Sequence, residues 1–146
     1  MLRINSDDLE EEYTDGGSRL LVFNGGPFTG IAYEMSPQGS LWSEQSYEEG
    51  VLSGPSMDWY PSGQLRAQTD YKWNRVHGRN REWFENGQLK SDAVAELGIV
   101  VRKQEWDEQG KLTNDYHIES DTWSSNLLEA ERKLFKKAGV IYQKVE

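Results

Sequence analysis

Residues 59–65 read Trp-Tyr-Pro-Ser-Gly-Gln-Leu, and residues 83–89 repeat the pattern as Trp-Phe-Glu-Asn-Gly-Gln-Leu. Weaker copies occur at residues 106–112, Trp-Asp-Glu-Gln-Gly-Lys-Leu, and at residues 35–41, Met-Ser-Pro-Gln-Gly-Ser-Leu. The glycines of the four copies stand at positions 39, 63, 87 and 110, so the steps are 24, 24 and 23 residues. A fixed period of this length predicts an array of similar supersecondary units.

A second position recurs with the same period. Aromatic residues at Phe23, Tyr47 and Tyr71 are followed by Gly30, Gly54 and Gly78, but in the last unit Ala95 and Arg102 occupy these places. Two turns in each unit of about 24 residues leave two strands of about six or seven residues, a length typical of sheets. The fold class predicted is mainly β: a single-layer antiparallel sheet of tandem hairpins with one C-terminal α-helix.

Within the strands, apolar and polar residues alternate with period two, as in a sheet with one apolar face. The glycine at the third place of each Trp-to-Leu loop suits a type I turn followed by a left-handed residue. This turn sets Trp59 opposite Leu65 and Trp83 opposite Leu89. The resulting aromatic–aliphatic ladder is predicted to be the core.

A single domain is predicted for residues 1–146, with the array at residues 19–118. Residues 1–18 form an acidic, solvated and partly mobile leader in this interpretation. Residues 124–139 are predicted to be an amphipathic helix that begins at Ser125 or Asn126, ends at Gly139 and covers the apolar face or the last sheet edge. Its predicted inward residues are Leu127, Leu128, Leu134, Phe135 and Ala138. Residues 140–142 are predicted to add a short strand.

The composition excludes several classes of function. Sixteen Lys and Arg against 25 Asp and Glu give a net charge of −9, which disfavours nucleic acids and anionic membranes as partners. The charge either suits a basic partner or only keeps the protein in solution, and both interpretations stay open. No segment resembles a membrane span or a signal peptide. With no cysteine in the chain, a cytoplasmic location is expected.

Catalytic chemistry is not indicated. His77 precedes Gly78 at a repeat position otherwise held by Thr or Ser, so a structural turn role is favoured over a catalytic base. His117 has no residues at metal-ligand spacing around it. We therefore predict no catalytic, cofactor-binding or metal-binding residues, no cofactor, and no enzymatic activity.

Carboxylates precede the first residue of each Trp-to-Leu stretch, at Glu34, Asp58, Glu82 and Glu105. The predicted register sets Asp58 opposite Arg66 and Glu82 opposite Lys90, while Glu34 faces Trp42 and Glu105 faces Thr113 and neither has a cationic partner. Aromatic residues within a charged rim are typical of protein-binding surfaces, so a binding face is favoured over a merely solvated one. The predicted partner-binding residues are Glu34, Trp42, Glu44, Asp58, Tyr60, Asp70, Glu82, Phe84, Asp92 and Glu105.

The repeated stretches at 59–65 and 83–89, with Gly26-Pro27-Phe28-Thr29-Gly30, resemble the bacterial variant of the MORN repeat, in proteins of the antitoxin or immunity type. The resemblance covers about residues 20–118 and implies a curved sheet of successive hairpins. The resemblance also implies binding and neutralisation of a cognate toxin, which is expected to be encoded by the adjacent gene. The acidic net charge of this chain suggests that the toxin domain is basic. The alternative is a general MORN-type scaffold for proteins or lipids. The protein is expected to be a monomer or a weak homodimer, paired through an uncovered first strand.

Overall fold

The computed structural model describes residues 1–145 and contains twelve strands and one α-helix in that range. In chain order the strands are β1 (Arg3–Asn5), β2 (Glu10–Tyr13), β3 (Arg19–Phe23), β4 (Gly26–Pro27), β5 (Gly30–Met35), β6 (Leu41–Glu48), β7 (Val51–Trp59), β8 (Leu65–Lys72), β9 (Arg75–Trp83), β10 (Leu89–Glu96), β11 (Ile99–Trp106) and β12 (Leu112–His117). The helix α1 spans Thr122–Lys137. Nine strands form one sheet in the order β1-β5-β6-β7-β8-β9-β10-β11-β12, and β2-β3-β4 form a second, small sheet. The predicted mainly-β sheet of hairpins with a C-terminal helix is confirmed.

Two kinds of turn alternate along the array. At one end of the hairpins, two-residue turns such as Glu49-Gly50 and Trp73-Asn74 have positive φ at both positions, the geometry that matches the twist of paired strands. At the other end, Gly63 is left-handed with φ 88° and donates its N–H to the Tyr60 carbonyl at 2.9 Å. The predicted type I turn with a left-handed glycine is therefore confirmed, as is the pairing of Trp59 with Leu65.

Gly30 stands where two backbones come close together. Its φ is 151°, and a Cβ at this position would lie 2.5 Å from the Leu2 carbonyl oxygen. That carbonyl accepts the Ile31 N–H at 2.9 Å as β1 pairs with β5 in parallel. The glycine therefore gives β1 its place at the first edge of the large sheet.

Replacing Gly30 by alanine should lower the free energy of unfolding by roughly 2–3 kcal/mol, because the new methyl group collides with a backbone atom that can move only if β1 leaves. Urea denaturation measures this loss. Gly63→Ala is the matched control: Gly63 is also left-handed, but a Cβ there would have no neighbouring atom within 4 Å, so only about 1 kcal/mol of backbone strain is expected. Equal losses for the two variants would contradict the close-approach argument.

The N-terminal segment has mostly exposed side chains, as expected of a solvated leader, but it also contains strands that were not predicted. Residues 3–5 and 10–13 are strands, joined by a 3₁₀ turn over Ser6–Asp8. Because β1 pairs with β5, the first strand of the array is not uncovered as predicted. Strand β2 consists of three glutamates and a tyrosine and β1 has only three residues, so neither carries a clear alternating hydrophobic pattern.

The core is divided between the two ends of the sheet. One cluster contains Leu21, Phe28, Ala32 and Tyr47 under the small sheet. Other buried apolar residues lie in β10, in the turn after it and in the C-terminal region, and they are Ala93, Val94, Ala95, Leu97, Ile118 and Leu128. The Trp-to-Leu ladder predicted as the core is only partly buried, and its terminal members Met35 and Leu112 are exposed. A single-layer sheet is buried only where another element covers it, and both covering elements lie near the two-residue turns.

The helix begins earlier than predicted. Asp121, not Ser125 or Asn126, is the N-cap and accepts the Ser124 N–H at 3.1 Å. The predicted end is confirmed, because left-handed Gly139 donates to the Lys136 carbonyl and Val140 donates to that of Phe135, as in a Schellman motif. Leu128 is buried and Leu127 and Phe135 are partly buried, but Leu134 and Ala138 are exposed, contrary to prediction.

The segment after the helix is not the predicted strand over residues 140–142. It is fixed by side chains: the Tyr142 hydroxyl donates to Glu96 at 3.1 Å, and the Tyr142 ring packs against Trp73 and His77. His77 also accepts the Leu97 N–H at Nδ1 and lies 3.0 Å from the Gln143 carbonyl at Nε2. These bonds support the structural interpretation of His77.

Candidate functional site

One face of the large sheet carries a row of directly opposed residues across eight strands. Its members are Glu34, Ser43, Asp58, Ala67, Glu82, Ser91, Glu105 and Asn114. Carboxylates on every second strand are about 9.5 Å apart and are separated by short side chains. The four carboxylates predicted to share a face therefore do so, and we call this surface the carboxylate face.

The neighbours of these carboxylates differ from the prediction by one residue. Asp58 lies opposite Ala67 and not Arg66, because the register shifts between Asp58 and Trp59. The same shift places Glu82 opposite Ser91 rather than Lys90. A β-bulge after each Trp-to-Leu turn inserts one extra residue in the second strand. In the first and last hairpins it likewise sets Glu34 opposite Ser43, not Trp42, and Glu105 opposite Asn114, not Thr113.

The bulge also moves three predicted binding residues to the opposite face. Glu44, Asp70 and Asp92 belong to rows that alternate with the carboxylate row. Glu44 pairs there with Arg3 at 2.7 Å and Asp92 with Arg81 at 3.5 Å. Asp70 accepts the Arg79 N–H at 3.3 Å, and burial raises the pKa of its carboxyl. The prediction that these three share a surface with the other seven is wrong, since a one-residue shift reverses the faces.

The middle of the carboxylate face is a mixed-charge groove. A cavity of about 410 Å³ is lined by Asp58, Tyr60, Arg66, Ala67, Glu82, Trp83 and Lys90. Arg66 lies 3.9 Å from Asp58, and burial raises the pKa of Asp58 while Arg66 opposes that rise. The cations therefore offset much of the negative charge here.

Aromatic side chains along this groove are already engaged. The Tyr60 hydroxyl donates to the Trp83 carbonyl at 2.8 Å. The Lys90 ammonium lies over the Phe84 ring at 5.8 Å from its centre. Both rings are partly buried, so they shape the groove more than they project from it.

Glu105 has partners, contrary to the prediction. Lys103 lies 2.8 Å from its carboxylate and Asn114 donates to it at 2.9 Å. These hydrogen bonds hold the pKa of Glu105 below its usual value. Glu34 is different, because it is exposed and makes no ion pair among residues 1–145.

The surroundings of Glu34 form an acidic corner, which we define as Asp7, Asp8, Glu34 and Trp42. The 3₁₀ turn bearing Asp7 and Asp8 is held to β5 by the Ser6 hydroxyl, which donates to the Tyr33 carbonyl at 3.1 Å. Trp42 is the bulge residue beside Glu34, equivalent to Arg66 beside Asp58. Trp42 is 42% exposed. An exposed aromatic ring therefore lies beside Glu34, at the edge of the sheet that also carries Asp7 and Asp8.

The net charge of the protein is concentrated in the N-terminal part of the chain. Residues 1–60 contain eleven Asp and Glu and two Arg, whereas residues 61–146 contain fourteen acidic and fourteen basic residues. The whole excess of −9 therefore belongs to the N-terminal part of the chain. The charge total alone concealed this polarity, although a count by halves of the sequence reveals it.

Within residues 1–145, no group of three or more His, Cys, Asp or Glu side chains is placed to hold a metal ion. In the same range no helix has the length and apolar character needed to cross a membrane. His117 lies 3.3 Å from Asp115 on the face opposite the carboxylate row.

Comparison with known proteins gives one close similarity. The immunity protein YwqK of Bacillus subtilis (strain 168) is 56% identical over 110 residues, which cover 75% of this chain and 71% of that protein. The MORN repeat variant pattern matches residues 52–72 and 76–94, in β7–β8 and β9–β10.

Among solved structures, the chain is similar to part of accessory secretory protein 1, 2 and 3 of Streptococcus pneumoniae. The identity is 18%, and the match covers 73% of this chain but only 18% of that one, with a TM-score of 0.33. A score this low has no bearing on function.

Proposed function

Since this chain belongs to the MORN-repeat proteins of the immunity type, we propose that it binds and neutralises a cognate toxin through the acidic corner of its carboxylate face. The sheet supplies a rigid frame, and no covalent chemistry is required of it. The observation that carries the proposal is that the net charge belongs to the N-terminal part of the chain, which also carries exposed Trp42 beside Glu34. The toxin is then neutralised because its active-site surface is covered.

The chemistry of the corner indicates its partner. Exposed carboxylates at Asp7, Asp8 and Glu34 attract a basic surface and speed its association, while a large aromatic ring supplies buried contact area. Toxin domains that act on nucleic acids commonly have such basic surfaces. From the corner, the contact extends along the groove at Asp58, Tyr60, Glu82 and Phe84 towards Glu105.

Charge reversal at Glu34 tests the surface. Glu34→Lys should raise the dissociation constant for the toxin encoded beside the gene by about tenfold or more, with a slower association rate, because an exposed attractive charge becomes repulsive. Trp42→Ala should raise it about 10- to 30-fold through lost contact area. Calorimetry at two salt concentrations measures both, and wild-type binding should weaken as salt increases.

Asp115→Lys is the matched control, because Asp115 is an exposed carboxylate of the same sheet on the opposite face and at the opposite edge. It should change affinity less than about twofold. If Glu34→Lys and Trp42→Ala both left the affinity unchanged, the acidic corner would not be the binding surface. The proposal that the protein binds a toxin would not be contradicted by that result. Absence of association with any neighbouring gene product would favour the general scaffold instead.

A further inference from the structure

The outward side of α1 bears an apolar stripe that is exposed at Trp123, Ala130 and Leu134 and partly buried at Leu127. Its inward side is defined by contacts: Leu128 is 4% exposed, Phe135 packs on Trp73 with ring centres 5.3 Å apart, and Arg132 bonds Glu96. On the other side Trp123 is 73% and Leu134 is 60% exposed. The outer stripe consists of Trp123, Leu127, Ala130 and Leu134. Its spacing of four, three and four residues follows one side of a helix.

This spacing is the same when read in reverse. We propose that two copies of this chain associate by packing their α1 helices antiparallel along the outer stripe. The pairing sets Trp123 of one copy against Leu134 of the other, and Leu127 against Ala130, about a two-fold axis between positions 128 and 129. Each large residue at a helix end meets a large residue, and the smaller pair lies at the centre. Such a self-complementary patch is what a closed, two-fold dimer requires.

The charges at the two ends of α1 agree with this direction. Lys133 and Lys137 lie in the last turns, and exposed Glu119 and the N-cap Asp121 precede the first turn. Antiparallel packing brings the basic end of one helix beside the acidic start of the other and opposes the two helix dipoles. Parallel packing would place like charges together. An anionic membrane is a poorer fit, because Glu119 and Asp121 flank Trp123.

Sedimentation equilibrium over a concentration series tests the association. One helix of 16 residues offers a small interface, so a dissociation constant on the order of tens of micromolar is expected. Leu134→Ala should raise that constant by about tenfold, since two leucines leave each dimer. Glu129→Ala, a truncation on the same helix away from the stripe, should leave it within about twofold.

Cysteine cross-linking tests the direction, because the chain has no cysteine of its own. In the antiparallel pair, the two copies of position 130 are three residues apart along the axis, about 4.5 Å, whereas those of position 138 are nineteen residues apart, about 28 Å. A short bismaleimide should therefore link Ala130→Cys efficiently and Ala138→Cys poorly. Parallel packing would link both.

Three results would overturn the proposal. The first is wild-type protein that stays monomeric up to about 1 mM. The second is equal cross-linking at positions 130 and 138. The third is monomeric protein that binds anionic phospholipid vesicles in a flotation assay, together with loss of that binding in Leu134→Ala. That result would show that the outer stripe binds a membrane.

Discussion

Replacing Arg132 by alanine should lower the free energy of unfolding by about 3–5 kcal/mol, because it leaves a carboxylate buried without its cation. The Glu96 side chain is 0% exposed. Arg132 donates to both of its oxygens, from Nε at 3.0 Å and from Nη2 at 2.7 Å, and the Tyr142 hydroxyl adds one bond at 3.1 Å. Urea denaturation followed by tryptophan fluorescence measures the loss.

Glu129 provides the control, since it binds the same arginine through Nη1 at 2.6 Å but its side chain is 60% exposed. Glu129→Ala should cost less than about 1 kcal/mol. Leucine at both 96 and 132 should cost less than Arg132→Ala alone, because no charge is then left buried. If the exposed and buried partners gave equal losses, the ion pair would not be what fixes α1 and the following segment to β10.

The turn spacing was predictable from sequence because each turn depends on one residue type. A left-handed position favours glycine, and Gly63 and Gly87 reveal both the period and the pairing of Trp59 with Leu65. The bulge that follows has no such requirement. Arg66 is an ordinary polar residue, and the alternation of Ala67, Gln68 and Thr69 is compatible with either register. Without the one extra residue of each bulge, the predicted register placed Glu44, Asp70 and Asp92 on the wrong face of the sheet.

The covering elements were harder to predict than the array. Strand β1 is three residues long and joins a parallel pair whose partner lies far along the chain, and such a pair has no local signal. Asp121 is a residue type that often caps helix N-termini, and it stands three residues before Ser124. The prediction placed the cap at Ser125 because the apolar pattern of the helix begins after that residue. The carboxylate row could be found because repeat equivalence fixes it. Its division into a neutralised groove and an acidic corner depends on side-chain contacts that only the structure shows.

The N-terminal core gives the second large effect: Phe28→Ala should lower the free energy of unfolding by about 3–5 kcal/mol. Phe28 is 1% exposed, and its ring packs against Phe23 and Tyr47 with centres 6.3 Å and 6.1 Å apart. Its backbone carbonyl also accepts the Gly50 N–H at 2.8 Å, which ties the small sheet to a turn of the array. Truncation therefore leaves a cavity between the two sheets. Urea denaturation measures the loss, with Phe23→Ala as the control; Phe23 is only partly buried and should cost about half as much.

Hydrogen exchange shows where the Phe28→Ala loss falls. In an array whose units contact only their neighbours, a defect at one end opens that end first. The Leu21 N–H, bonded to the Gly50 carbonyl at 2.8 Å, should therefore exchange faster in the variant, while the amides of β10, beside α1, keep their protection. Uniform loss of protection across β3 and β10 would instead mean that the two end clusters unfold as one cooperative unit.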